Sequence, residues 1–360
     1  MNDARPDAAM REGLAALAAG HDLSRALTER IFDELMTGAC DPAQIGALLF
    51  GLACKGETSD EIAGAAAAMR RAVVPIPTRH AEVLDTCGTG GSGVPRRNVS
   101  TAVAIAVAAC GVPVAKHGNR SATSRSGSAD VLEALGVDIE ATPAQVGAAL
   151  DEVGLGFLFA PRLHPAMKHA MGPRRALPTR TIFNLLGPMT NPAGATRQLL
   201  GVFDPRRCVS MATALGALGS RRVLVVHGFT RGVQASPDAP PGIDDTSPEG
   251  QTWVAQFWRG KVSTFVVTPD MAGLPEVALA DLAGGDPADN AAALTRLLDG
   301  EPGAYRTAVE YAGALALLAA SDGDLDQLPA HARAISSAIE EGRARRVLAD
   351  LRARGHHQGP

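Results

Sequence analysis

Aromatic side chains are scarce: phenylalanine, tryptophan and tyrosine make up 4% of the 360 residues, with only two tryptophans and two tyrosines. With a formal net charge of −4, so few rings exclude a broad basic face or a row of stacking platforms, and no nucleic-acid partner is expected. Cysteine is thin too. Cys40, Cys54, Cys87, Cys110 and Cys208 are odd in number and scattered, without CxxC spacing. That excludes a disulfide framework or a zinc site and points to reduced thiols in a cytoplasmic protein. No apolar run is long enough to span a membrane, and Met1-Asn-Asp-Ala-Arg-Pro has no apolar core of secretory type, so no membrane partner is expected either.

The length permits one large domain or two moderate ones, and the pattern favours two. The first eighty residues read as helices only. Asp41 and Pro42 start one, Ile45, Leu48, Leu49 and Leu52 form its apolar stripe, and Gly56 ends it. Thr58 and Glu61 make a capping box for a helix carrying Ile62, Ala65, Ala66 and Met69. From about Glu82, short apolar runs alternate with helical stretches: Val83-Leu84, Val112 to Ala115, Gly156 to Ala160, Arg222 to Val226 and Val262 to Val267. This predicts a largely parallel α/β sheet with ligands at the carboxyl ends of its strands. The expected boundaries are a helical domain over 1–80, joined by helices from about 165–195, an α/β domain over 81–345, and a flexible tail over 346–360. His356-His357 in that tail reads as a disordered end rather than a metal site.

The densest motif is Asp85-Thr-Cys-Gly-Thr-Gly-Gly-Ser92, followed by Asn98-Val-Ser-Thr101 and Lys116-His-Gly-Asn-Arg120. A strand at Ala81 to Leu84 and a helix from Ala102 to Ala109, beginning after Asn98-Val-Ser-Thr101, place the glycines in a strand-to-helix connection. Gly88, Gly90 and Gly91 allow positive φ and a close backbone approach, so that successive N–H groups converge on an anion beside a helix N-terminus, and Lys116 adds a point charge. A glycine-rich turn alone is as readily a tight connection; the two later clusters favour polyphosphate. Neither a Walker loop nor a GxGxxG fingerprint is present. Cys87 reads as a small filler.

Asp244-Asp245 lie beyond the end of a predicted strand and suit magnesium, which takes one or two carboxylates plus substrate oxygens, with Ser100 as a weaker contact. A solvated acidic turn is the plainer reading of the pair alone. An arginine at Arg174 or Arg175 matches a carboxylate bidentately and would select an acidic acceptor, or else is solvated surface.

Together these clusters resemble the anthranilate phosphoribosyltransferase family over nearly the whole chain. The similarity takes in Asp41-Pro-Ala-Gln-Ile-Gly, Lys55-Gly-Glu-Thr-Ser-Asp-Glu-Ile-Ala-Gly, the loop motifs, Lys116 to Asp130, His164-Pro-Ala-Met-Lys-His, Arg180 to Pro192, and Gly284-Gly-Asp-Pro-Ala-Asp-Asn290. The resemblance implies a nucleoside phosphorylase/phosphoribosyltransferase-like fold: a small helical domain plus a larger, mostly parallel α/β domain. It implies a homodimer as well, formed through the helical domain. The implied reaction has anthranilate displacing pyrophosphate from C1 of 5-phosphoribosyl 1-diphosphate, in tryptophan biosynthesis, with Mg2+ as cofactor. Carried over by motif, the donor would meet Gly88, Gly91, Ser92, Arg96, Asn98, Val99, Ser100, Thr101, Lys116 and Ser128. Anthranilate would meet Gly88, Asn119 and Arg174, and the metal Ser100, Asp244 and Asp245. No residue is assigned as acid or base; His117 reads as an orienting group.

Departures sit on the site. Ser92 replaces the family's aspartate, Asp245 its glutamate, and Arg96 a small polar residue, while Phe229 to Pro241 lengthen the connection before the acidic pair and read as a lid or altered rim. Two rivals follow: a same-fold transferase or pyrimidine nucleoside phosphorylase-like enzyme with another acceptor, and a non-catalytic nucleic-acid-binding paralogue. Asn119 and Arg174 favour anthranilate over the first. The retained acidic pair and the lack of a basic balance disfavour the second.

Overall fold

A computed structural model describes residues 7–121 and 125–355. Seven strands form one sheet: β1 (Leu84–Gly88), β2 (Val114–Gly118), β3 (Leu155–Phe159), β4 (Arg197–Gly201), β5 (Arg222–Gly228), β6 (Thr252–Trp258) and β7 (Lys261–Val267). Their order is β3-β2-β1-β4-β5-β6-β7. The first five run parallel, β6 pairs antiparallel with β5, and β7 antiparallel with β6. The chain builds outward from β1 to β3, then restarts on β1's other side with β4. The β1/β4 boundary is therefore the topological switch point, where an open α/β sheet leaves a crevice at its carboxyl ends.

Strands β4 and β6 escaped the sequence pattern. β4 has only Leu199-Leu200 as an apolar run, and its flanking Arg197 and Gln198 are buried with their donor groups bonded: Arg197 donates to Glu82, Asp322 and the Ala319 carbonyl, and Gln198 Nε2 to the Pro188 carbonyl. β6 turns tightly into β7 at Arg259 and Gly260, both at positive φ (51° and 76°), the conformation a two-residue hairpin turn requires.

Helices cover both sheet faces. On one, Val99–Ala108 and Ala304–Ala320 pack Val103, Ile105, Tyr311 and Leu315 against Leu224 and Val226. Val99–Ala108 begins three residues earlier than Ala102, with Asn98 at its N-cap. On the other, helix Arg207–Ala217 and the N-terminal helices share one core, in which Phe32, Leu48, Leu52 and Ile62 join Leu200, Val225 and Met211. The short helices Lys168–Ala176 and Phe183–Leu186 contribute Ala170, Phe183 and Leu186 to that same core.

The sequence signals for the N-terminal helices hold. Helix Pro42–Lys55 is capped by Asp41 and helix Ser59–Ala72 by the Thr58–Glu61 box, with Glu61 also accepting from the Leu23 N–H at 2.8 Å. The C-terminal expectation needs correcting: residues 346–355, read as flexible tail, belong to helix Arg343–Gly355. Charge dominated the reading, but Ala344, Leu348 and Leu351 are buried and Arg343 donates to the Ala109 carbonyl. His356-His357 lie outside the described residues. No described helix is long and apolar enough to cross a membrane.

Candidate active site

Gly88 and Gly201 face each other in register at the carboxyl ends of β1 and β4. A Cβ on Gly201 would lie 2.1 Å from the Asp244 carbonyl oxygen, and one on Gly88 3.2 Å from it. The acidic segment thus rests on the switch point only because both strands end without side chains. His227, at the end of β5, fixes its approach. Its Nε2 accepts the Gly242 N–H at 2.7 Å, which leaves Nδ1 as the protonated nitrogen donating to the Val202 carbonyl at 2.7 Å.

The loop after β1 takes its freedom from Gly90 and Gly91, as expected, and from Gly93 in place of Gly88. Gly90, Gly91 and Gly93 have φ of 70°, 89° and 75°, whereas Gly88 stays in the strand. Gly91 is held from outside by Arg180, whose guanidinium donates to the Gly91 carbonyl and stacks 3.9 Å over the Phe203 ring. A Cβ on Gly91 would collide with that guanidinium at 2.4 Å.

Beneath the loop, Lys116 is 2% exposed and donates to the Thr86 carbonyl at 2.6 Å and to Ser100 Oγ at 3.3 Å. Burial pushes its pKa down, while Asp85 opposes that shift. Asp85 is buried as well, which raises its pKa. It accepts from Asn191 Nδ2 at 2.9 Å and from the His117 N–H at 3.0 Å. His117 and His164 meet Nε2 to Nε2 at 3.1 Å; burial drives their pKa down to about 3 and about 4, so both are neutral near pH 7. Burial likewise raises the Cys87 thiol well above its usual range, as suits a filler.

The acidic pair has a cation on it. Arg96 Nη2 donates to Asp244 Oδ1 at 2.8 Å and Nη1 to Ser92 Oγ at 2.9 Å. Asp245 Oδ1 accepts the Thr246 N–H at 2.8 Å, and burial raises its pKa against the pull of Arg96. Among the described residues no three His, Cys, Asp or Glu side chains gather to hold a metal. Two adjacent carboxylates with only oxygen to offer suit magnesium that completes its shell with water and substrate phosphate, and do not suit zinc.

All this surrounds one cavity of about 520 Å3, lined by Gly88, Gly91, Ser92, Arg96, Asn98, Val99, Ser100, Lys116, Asn119, Ser128, Arg174, Asp244 and Asp245. Helix Lys168–Ala176 presents Arg174, which has no ion-pair partner among the described residues; burial lowers its pKa. Asn98 is tied to Asn290 at 3.0 Å and to the Ser126 carbonyl at 3.3 Å, fixing the start of its helix. Thr101 is the exception to the expected set. It is buried behind the cavity wall, since its place on the helix turns it into the core. Nor do residues 229–241 line the cavity: Phe229 and Ala235 are buried, and Gln251 anchors the loop by accepting the Ala235 N–H at 2.7 Å. In this structure the loop stands outside the cavity wall.

Residues 11–73 match the family model described as the helical bundle domain of a glycosyl transferase family, and residues 80–345 match that family's a/b domain. Anthranilate phosphoribosyltransferase of Paramagnetospirillum magneticum is 49% identical, across 95% of this chain and 94% of its own, and that of Caulobacter vibrioides is 48% identical across 96% and 97%. The chain belongs to the anthranilate phosphoribosyltransferase family. Among solved structures, the Thermus thermophilus enzyme superposes with a TM-score of 0.84 at 41% identity, covering 94% of this chain and 99% of that one. An anthranilate phosphoribosyltransferase from Saccharomyces cerevisiae, solved in complex with PRPP and Mg, gives 0.84 at 25% identity, covering 97% and 98%.

Sequence reasoning missed Gly201, which carried no motif of its own, and the part Arg180 plays. The part played by His227 was missed as well. A histidine directly after a buried parallel strand and before an acidic pair is the available signal, but its role depends on two backbone partners visible only in the fold.

Proposed function

We propose that this chain transfers the 5-phosphoribosyl group of 5-phosphoribosyl 1-diphosphate to the amine of anthranilate, releasing pyrophosphate, in tryptophan biosynthesis. The observation that carries this reading is the meeting of the glycine loop, the Asp244-Asp245 pair and the unpaired Arg174 around a single cavity. Donor contacts are assigned to Gly88, Gly91, Ser92, Arg96, Asn98, Val99, Ser100, Lys116 and Ser128. Asn119 and Arg174, with Gly88 between the two ligands, hold anthranilate. Thr101, behind the wall, takes a supporting part through its helix.

The C1–O bond breaks with its electron pair leaving on pyrophosphate, the amine lone pair forms the C1–N bond, and the nitrogen then loses a proton. An aryl amine is already unprotonated near neutral pH, so the protein's task is to align the partners and neutralise developing charge. No acid or base is assigned. His117 is held neutral by burial and its Nε2 is engaged by His164. Asp244 and Asp245, with Ser100, would hold Mg2+, which when bound neutralises diphosphate charge. A homodimer through the helical domain and a cytoplasmic location complete the proposal.

A fluorescence assay tests it: anthranilate emission should fall on mixing with the donor, Mg2+ and the protein, and the product should carry the mass of the phosphoribosylated amine. Folded protein that leaves anthranilate unchanged contradicts the reading.

A further inference from the structure

We propose that Arg96 is a built-in counter-cation of the acidic pair: in the donor-free protein its guanidinium takes the Asp244 oxygen that a divalent cation would use, and diphosphate draws it away, so that metal and donor enter together. This rests on the function proposed above and goes beyond it, because Arg96 becomes a gate on metal entry as well as a diphosphate contact.

Arg96 and Asp244 make a 2.8 Å ion pair with side chains only 12% and 9% exposed, so little water screens it. Asp244 and Asp245 are adjacent carboxylates, and the nearest balancing charge on their open side is Arg96. The aim of the side chain is set by its backbone. Gly284 packs so closely that a Cβ there would lie 2.6 Å from the Arg96 carbonyl carbon, and the next N–H, of Arg97, donates to the Leu282 carbonyl at 2.9 Å. Arg97 turns the other way, over the Tyr305 ring at 5.4 Å. Ser92 completes the arrangement. Its hydroxyl accepts from the other Arg96 nitrogen, Nη1, and adds no second negative charge beside the guanidinium.

A divalent cation arriving alone must break this enclosed pair and then share the site with a displaced guanidinium. Diphosphate removes both penalties, because its oxygens match an arginine fork better than a single carboxylate oxygen does. Metal and diphosphate then strengthen each other's binding, and by linkage the coupling is reciprocal.

The test uses the full chain without donor. Mn2+ binding, followed by electron paramagnetic resonance, should be weak in the parent protein and should tighten about tenfold or more in Arg96→Gln, as expected for loss of one charged competitor. Inorganic pyrophosphate, titrated calorimetrically with chelator present, should bind Arg96→Gln about tenfold more weakly. Saturating pyrophosphate should strengthen Mn2+ binding to the parent protein and do so far less in the variant. Arg96→Lys keeps the charge and should leave Mn2+ binding weak, which separates a charge effect from a damaged fold. Unchanged Mn2+ affinity in Arg96→Gln overturns the proposal even if the parent protein turns over anthranilate; absence of turnover in the parent would instead overturn the function it rests on.

Discussion

Arg174 sits half-buried on a cavity wall without a carboxylate to balance it, although burial disfavours its charge. A protein bears that cost when an anionic ligand supplies the partner, and the planar carboxylate of anthranilate fits a guanidinium fork. Arg174→Ala should therefore raise the KM for anthranilate about 10- to 100-fold, the range expected for a lost charged hydrogen bond, and barely alter the KM for the donor. Steady-state kinetics with each substrate varied in turn checks this; a larger effect on the donor would remove Arg174 from the acceptor side. At this scale the sequence was most legible where chemistry demands a rare residue in a fixed place, as with Asp244, Asp245, Lys116 and Arg174. It misled where the backbone decides direction. Thr101 belongs to the Asn98-Val-Ser-Thr run, yet its helix turns it inward while Ser100, one residue earlier, reaches Lys116.

Strand ends decide the geometry of the site. Gly201 closes β4 against the Asp244 carbonyl, where a Cβ would stand at 2.1 Å against backbone that cannot swing aside. Gly201→Ala should displace the acidic segment, reducing kcat/KM by about 100-fold or more through misplacement of the metal ligands and costing about 1–3 kcal/mol of stability. Kinetics and urea denaturation read the two effects; an alanine variant with parental values of both would show that the segment does not depend on this contact. β4 and its glycine were hidden because buried Arg197 and Gln198 make it look polar. The pairing of β2 with the segment ahead of helix Lys168–Ala176 carries a pH signature. An unfolded chain protonates its imidazoles below about pH 6.5, whereas folded His117 and His164 stay neutral until about 3 and about 4. Between those limits the unfolded state holds more protons, so these residues make stability rise with pH and fall as pH drops from about 6.5 toward 4. The double variant His117→Gln/His164→Gln should lose less stability than the parent between about pH 7 and about pH 5, as measured by urea midpoints; equal losses would contradict the neutral pair.

Across the whole molecule, hydrophobic cores pack on both faces of one sheet, and the cavity at its switch point is walled by the helix that carries Arg174. Alternation of short apolar runs with helical stretches made the α/β class legible, and capping signals placed the N-terminal helices closely, since both are local properties of the chain. Strand order, the switch point and the restraint of the acidic segment by Gly88, Gly201 and His227 arise from pairings far apart in sequence, which no local pattern encodes. The proposed function makes this switch-point cavity the seat of magnesium-dependent phosphoribosyl transfer through the acidic pair. Its most direct test is anthranilate turnover by the parent and by Asp244→Asn/Asp245→Asn across a Mg2+ titration, with circular dichroism confirming the fold. The account predicts magnesium-dependent turnover in the parent and a loss of at least about 100-fold in the variant; equal turnover and equal Mg2+ dependence in the two would contradict it.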